Sequence, residues 1–148
     1  MSSRIESRSE VSAYINKLRH ALDNGAEIGF QIDRVVEKGR SARNTNSNTL
    51  ASLFPDERPA EALRRELKTL TEEDYIETVK DNAYPDREEM RVFGKAYGRS
   101  GGDGTDDVYI KIRVSLFAES GNHKVFVMSF HFAMKAFAPS DFPYRKER

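Results

Sequence analysis

The chain has 148 residues, 38% of them apolar and 32% charged; 24 basic side chains balance 24 acidic ones, and there is no cysteine. That length can bury a core in one domain without disulfides or metals, and zero net charge excludes the bulk basic excess of a general polyanion binder. The missing thiols exclude disulfides and thiol catalysis and argue against structural zinc, and no apolar run reaches the roughly 20 residues of a spanning helix.

Met1 to Glu10 is polar and of mixed charge, without the apolar stretch of a signal peptide, so a cytoplasmic protein is expected. Ser7 and Glu10 have capping-box spacing, and Val11, Ile15, Leu18 and Leu22 recur at helical spacing. The pattern predicts a helix over about 9–24, ended by Gly25. Ile28, Phe30 and Ile32 alternate, predicting a strand to about Val36. The stretch from Gly39 to Thr49, with Asn44, Asn46 and Asn48, reads as a polar loop. Leu50, Leu53 and Phe54 read as a short turn or helix. Pro59 stands at the start of an amphipathic helix carrying Ala62, Leu63, Leu67 and Leu70. Thr71 with Asp74 reads as an N-cap opening a short segment through Val79.

Three strands follow: Met90–Tyr97, Asp107–Phe117 and Lys124–Ala133. The connections Arg99–Asp106 and Glu119–Asn122 are rich in turn residues, predicting hairpins. The tail, 134–148, is expected to pack at Phe142 or Tyr144 and to fray beyond. The reading is one α+β domain over 1–148, helical in about 1–80 and sheet-forming in about 88–133, with the N-terminal helices packed on one face of a small antiparallel sheet.

Side chains alternate across a strand. Val108, Ile110, Ile112, Val114 and Leu116 form one wholly apolar row, expected in the core; Tyr109, Lys111, Arg113 and Ser115 form the other. In the third strand Phe126, Met128, Phe130 and Phe132 are the expected core row, which leaves Ser129 and His131 beside Tyr109 and Lys111. In the first, Arg91, Phe93, Lys95 and Tyr97 are assigned to the same open face. That face gathers cations, which neutralise phosphate, and aromatic rings, which stack on unpaired bases. It also suits metal-free RNA cleavage, in which a 2′-hydroxyl attacks the adjacent phosphorus. Such cleavage needs a base, cations on the phosphorane oxygens and an acid for the leaving oxygen. His131 titrates near neutrality when unperturbed.

Four blocks carry a resemblance: Leu70-Thr-Glu-Glu-Asp-Tyr75, Met90-Arg-Val-Phe-Gly-Lys95, Asp107-Val-Tyr-Ile-Lys-Ile112 and Val127-Met-Ser-Phe-His131. Over residues 70–132 the chain resembles the MqsR (motility quorum-sensing regulator) toxins, within the RelE-like bacterial toxin ribonucleases. The resemblance implies a RelE-like fold and metal-independent, cofactor-free endoribonuclease cleavage of messenger RNA. It also implies a cognate antitoxin protein, expected from an adjacent gene. Tyr109 falls on the family's functional tyrosine. His131 falls where the family prototype has a functional lysine, and a second functional lysine of the prototype lands near Glu77.

The resulting assignment has Lys95, Tyr109, Lys111 and His131 as catalytic residues and Arg91 and Arg113 as RNA-binding ones. His131 acts as acid or base, Lys95 and Lys111 stabilise the phosphorane, and Tyr109 orients the scissile group or supplies a proton. The alternative is a non-catalytic RNA- or protein-binding module using the same face. Gly94 is compatible with close approach of a ligand backbone or with a bulge. His20 reads as structural or exposed and His123 as surface, and the histidines lack metal-ligand spacing. The acids of 103–107 lack the Glu of a calcium loop.

Overall fold

The structure, a computed structural model, describes residues 2–30, 45–80, 88–98, 104–116 and 123–145. The expected turns at 99–103 and 119–122, the strand beyond Phe30 and the loop up to Asn44 lie outside those residues. Helix α1 (Arg8–Asp23) starts where its capping box predicts. Ser7 Oγ accepts from the Glu10 amide at 3.2 Å, and the Glu10 carboxylate accepts from the Ser7 amide at 3.1 Å. Gly25, at φ +75°, ends it in a conformation that favours glycine. The buried stripe Val11, Tyr14, Ile15, Leu18, Ala21 and Leu22 has the 3.6-residue period. Helix α2 (Asn46–Leu53) is capped by Thr45, and helix α3 (Pro59–Leu67) begins on its proline. Arg64 of α3 donates to the Leu22 carbonyl at 2.8 Å, satisfying an orphan acceptor at the end of α1.

Six strands form one sheet: β1 (Ser2–Arg4), β2 (Glu27–Phe30), β3 (Tyr75–Lys80), β4 (Met90–Gly98), β5 (Thr105–Ser115) and β6 (Lys124–Phe132), in the order β1-β3-β4-β5-β6-β2. The architecture is mixed α and β. Two expectations need correction. Ser2–Arg4 and Tyr75–Lys80 are strands inside the region read as helical, paired antiparallel to each other. And the sheet is not wholly antiparallel, because β2 runs parallel to β6. The expected loop from Gly39 is helical from Asn46 onward.

The main core joins the α1 stripe, Leu50, Leu63 and Leu67 to Tyr75, Phe93, Val108, Ile110, Ile112, Val114, Val125, Val127, Phe130 and Phe132. Each fully buried aliphatic or aromatic side chain contributes about 1.5–3 kcal/mol. On the other side of the sheet Val79, Met90 and Val92 pack with Ile76, Tyr109, Phe126 and Met128. Two bulges decide these memberships. The β3–β4 register shifts between Tyr75 and Glu77, and the β5–β6 register shifts between Lys111 and Ile112. In β6 the extra residue is Met128: Lys111 stands opposite Ser129 and Ile112 opposite Val127. Alternation therefore restarts there. Phe126 and Met128, expected in the core, lie on the opposite side, and Val125 and Val127 take their place. Leu116, also expected in the core, lies past the end of β5 and is exposed.

The tail is anchored as expected. Phe142 is buried, and Tyr144 stacks on Tyr75 with centroids 6.1 Å apart. Its hydroxyl donates to the Glu6 carbonyl.

Candidate functional site

Directly paired residues in a ladder share a face. Tyr109 stands opposite His131, and Lys111 opposite Ser129, on the side of β5 away from the main core. The Tyr109 and His131 rings are stacked, with centroids 5.4 Å apart and an interplanar angle of 20°. His131 Nδ1 lies 3.0 Å from the Phe132 carbonyl oxygen. A carbonyl only accepts, so Nδ1 donates, and in the neutral ring the basic lone pair is on Nε2. Arg113 continues the row, its guanidinium 5.1 Å from the Phe126 centroid. A cavity of about 240 Å³ lies beside it, lined among others by Glu27, Arg113, Lys124 and Phe126. Glu77 stands opposite Val92, and Val92 opposite Lys111, so Glu77 faces this side too.

The patch is deeper than a solvated strand face. Lys111 is 9% exposed, Ser129 2% and His131 4%, while Tyr109 and Arg113 are half-buried. Part of the cover is the tail. A Cβ built on Gly94, which pairs with Tyr109, would lie 2.6 Å from the Phe137 ring. Gly94 thus admits a close approach, by an aromatic ring of the same chain, and the bulges fall elsewhere in the sheet.

Arg91 and Lys95 do not join this patch. Arg91 pairs with Ile112 and Lys95 with Val108, both core-side residues. Phe93 and Tyr97 share that side, Phe93 fully buried and Tyr97 donating to Glu66 at 2.9 Å. The charges in this row are taken up by partners. Lys95 Nζ donates to Thr69 Oγ1. Arg91 forks onto Glu6, Nε to Oε1 at 2.8 Å and Nη2 to Oε2 at 3.3 Å, and lies 4.4 Å over the Tyr14 ring. His123 is another correction: it is buried, its ring 5.5 Å from that of the exposed His20.

Around Arg91 the structure assembles a polar cluster that sequence patterning missed. Glu6 is 4% exposed and accepts from Thr78 as well as Arg91. The Tyr75 hydroxyl lies 2.7 Å from Thr78 Oγ1 and accepts from the Glu6 amide at 3.1 Å. Burial acts to raise the Glu6 pKa, but the hydrogen bonds from Arg91 and Thr78 prevail and hold it below the usual carboxylate range. Burial likewise raises Tyr75, keeping the phenol neutral. The Ile76 bulge sets Tyr75 and Thr78 on one side of β3. A lone Glu before a helix cap carries no signal of a partner 85 positions away.

Among the described residues no group of three or more His, Asp or Glu side chains is arranged to hold a metal ion, and no helix is long and apolar enough to cross a membrane. Comparison with protein-family models, with curated proteins and with solved structures finds no match to this chain.

Proposed function

We propose that this chain is a toxin-type, metal-independent endoribonuclease of the MqsR-like kind. In this reading it has the RelE-like arrangement of helices over one sheet face, acts on messenger RNA in the cytoplasm and is restrained by a cognate antitoxin. The reading is carried by the cross-strand pair Tyr109–His131, with stacked rings and Lys111 two residues along on the same face. The site is accordingly Tyr109, Lys111 and His131, with Arg113 beside it as a phosphate contact. Arg91 and Lys95 leave it, because they pair with core-side residues.

In the proposed step His131 Nε2 takes the proton of a ribose 2′-hydroxyl, whose oxygen attacks the adjacent phosphorus. The bond to the 5′-oxygen breaks, the leaving oxygen takes a proton from the Tyr109 phenol or water, and the products are a cyclic phosphate and a 5′-hydroxyl end. Lys111 offsets the phosphorane charge, more strongly for being mostly removed from water. Tyr109, half-buried above the deeper groups, is the contact through which substrate arrives.

A second reading is favoured by one observation, the 4% exposure of His131. A base that deep suits a non-catalytic face that binds RNA or a protein through Tyr109 and Arg113. Incubation of purified protein with labelled RNA in EDTA separates the two. Cleavage that survives chelation and falls about 100-fold or more in His131→Ala and Tyr109→Phe, with circular dichroism unchanged, supports the enzyme. Retention without products supports the binding module. Full-rate cleavage by both variants overturns the site.

A further inference from the structure

After β6 the chain turns back over the Tyr109 side of the sheet. The Ala133 amide donates to the Asp107 carbonyl at 2.8 Å, and the Phe137 amide donates to Asp107 Oδ2 at 2.9 Å. One residue of β5 thus holds both ends of the segment 133–137. Asp107 pairs with Ala96 and Tyr109 with Gly94, and alternation puts the Asp107 and Tyr109 side chains on one face. The segment therefore crosses β5 two residues from Tyr109, and its Phe137 ring comes down on Gly94. Directly paired residues on one face stand about 4.5–5.5 Å apart at Cβ. The ring accordingly fills the place beside Tyr109 that a side chain at position 94 would take. Tyr109 is bordered by the His131 ring on the β6 side and by the Phe137 ring on the β4 side.

The tail is held unequally along its length. Phe142 is buried, its ring edge-on to Phe137 at 5.5 Å and 3.6 Å from the Arg145 guanidinium. Met134, by contrast, is 61% exposed, and Lys135 and Ala136 are exposed as well. The floor under this segment is Gly94 and Ala96, which offer no side chain to interlock with it. Its hold on the sheet is one half-buried ring and the Asp107 carboxylate, whose hydrogen bond can pass to water. A segment with so little buried apolar contact opens locally at low cost, while Phe142 keeps its far end in place.

We infer that residues 133–137 are an autoinhibitory strap. Closed, it keeps Phe137 in the position that an unpaired RNA base takes beside Tyr109; lifted, it opens the Tyr109–His131 face. A phenyl ring and a base present the same kind of flat surface to a tyrosine, so one can exchange for the other. The strap accounts for a proposed base that is only 4% exposed, because the closed chain is the resting form of the site. RNA as the ligand rests on the function proposed above; the strap itself does not.

Nitration of the full chain by tetranitromethane, read for each tyrosine from peptide masses, tests the strap without recourse to any activity. Phe137→Ala should raise the nitration rate of Tyr109 about five-fold or more, and Asp107→Ala, which keeps the ring and removes its amide's acceptor, about two-fold or more. Tyr14, buried in the core, should stay unreactive in both, which shows that the fold is kept. Should Tyr14 react in Phe137→Ala, Asp107→Ala decides alone. Labelled single-stranded 2′-O-methyl RNA, which has no 2′-hydroxyl to attack, should bind Phe137→Ala about five-fold more tightly than the unaltered chain. Unchanged Tyr109 nitration in a folded variant overturns the strap. Faster nitration with equal or weaker RNA binding overturns autoinhibition, since the ring then does not compete with the ligand. Faster nitration with no RNA bound by any of the proteins upholds the strap and overturns RNA as the ligand of this face.

Discussion

Arg91 and Glu6, 85 positions apart, meet as a fork that sits 4% exposed on the acid and 17% on the base. The pair ties the segment between β1 and α1 to the middle of the sheet, with Thr78 also donating to the acid and the Tyr75 hydroxyl bonding Thr78 and the Glu6 amide. Removing one member leaves the other charge buried without its main partner, a loss that typically costs about 3–5 kcal/mol. Arg91→Ala is expected to lose about that much in urea unfolding at unchanged m value, and Arg91→Met with Glu6→Gln to lose markedly less. A loss under about 1 kcal/mol for Arg91→Ala would assign the ordering of this region to something else.

The pH dependence has a sign. Glu6 has a lowered folded pKa, despite burial acting the other way, because Arg91 and Thr78 hydrogen-bond its charged form. Its contribution is fully present above the unfolded glutamate value, about 4.3, and is lost as pH falls through the lower folded value. Asp74 is the reverse: burial raises it against hydrogen bonds from Thr71 and the charges of Lys95 and Arg145. It therefore withdraws stability as pH rises from about 3.9 through its raised folded value. Unfolding free energies between about pH 3 and 7 should show a shallower acid slope for Glu6→Gln and a steeper one for Asp74→Asn. An unchanged slope in Glu6→Gln would show that the acid titrates as it does in the unfolded chain.

Gly94 is the seat of the tail. Its missing side chain admits the Phe137 ring, and Asp107 Oδ2 accepts from the Phe137 amide at 2.9 Å. Gly94→Ala puts a methyl inside that contact, with Ile76 also only 3.0 Å away. A cost of about 1–3 kcal/mol is expected, together with faster trypsin cleavage at Lys135. Phe137→Ala in the same chain should recover most of the cost; if it recovers none, the ring is not what the methyl meets.

Asn46 and Thr49 bond the β6 edge beyond the stretch paired with Glu27–Phe30. Asn46 donates to the Met128 carbonyl and accepts from the Phe130 amide, both at 3.0 Å, and Thr49 Oγ1 accepts from the Phe132 amide at 2.8 Å. Thr49→Val should cost about 1–3 kcal/mol, since the Phe132 amide loses its acceptor in a buried place, and Asn46→Leu should cost more. Hydrogen exchange of the Phe130 and Phe132 amides reads this directly, and unchanged protection in Asn46→Leu would count against it.

Periodicity was sufficient where each row was chemically pure. In β5 the apolar row Val108 to Val114 and the polar row Tyr109 to Arg113 separate as the alternation predicts. The capped helix α1 was legible for the same reason, since its cap and its stripe agree. Alternation failed where a bulge resets the phase, at Met128, because an extra residue leaves no mark in composition. It failed in β4 for another reason. Arg91 and Lys95 were read as solvent-facing because they are charged, yet Arg91 meets a carboxylate and an aromatic face and Lys95 a hydroxyl, all supplied by distant segments. Of the expected site, Tyr109, Lys111, Arg113 and His131 share a side. The helix-side cluster was not visible, because Glu6, the pair Tyr75 and Thr78, and Arg91 come from three segments far apart in the chain.

The Met128 irregularity makes β6 two short ribbons laid end to end. One, Lys124–Val127, is bordered by β2; the other, Met128–Phe132, by the side chains of α2. Because side chains alternate with a period of two, a one-residue slide of β6 along β5 would turn the inward groups of both halves outward. The one added residue is what lets Val125 and Val127 share an inward row with Phe130 and Phe132.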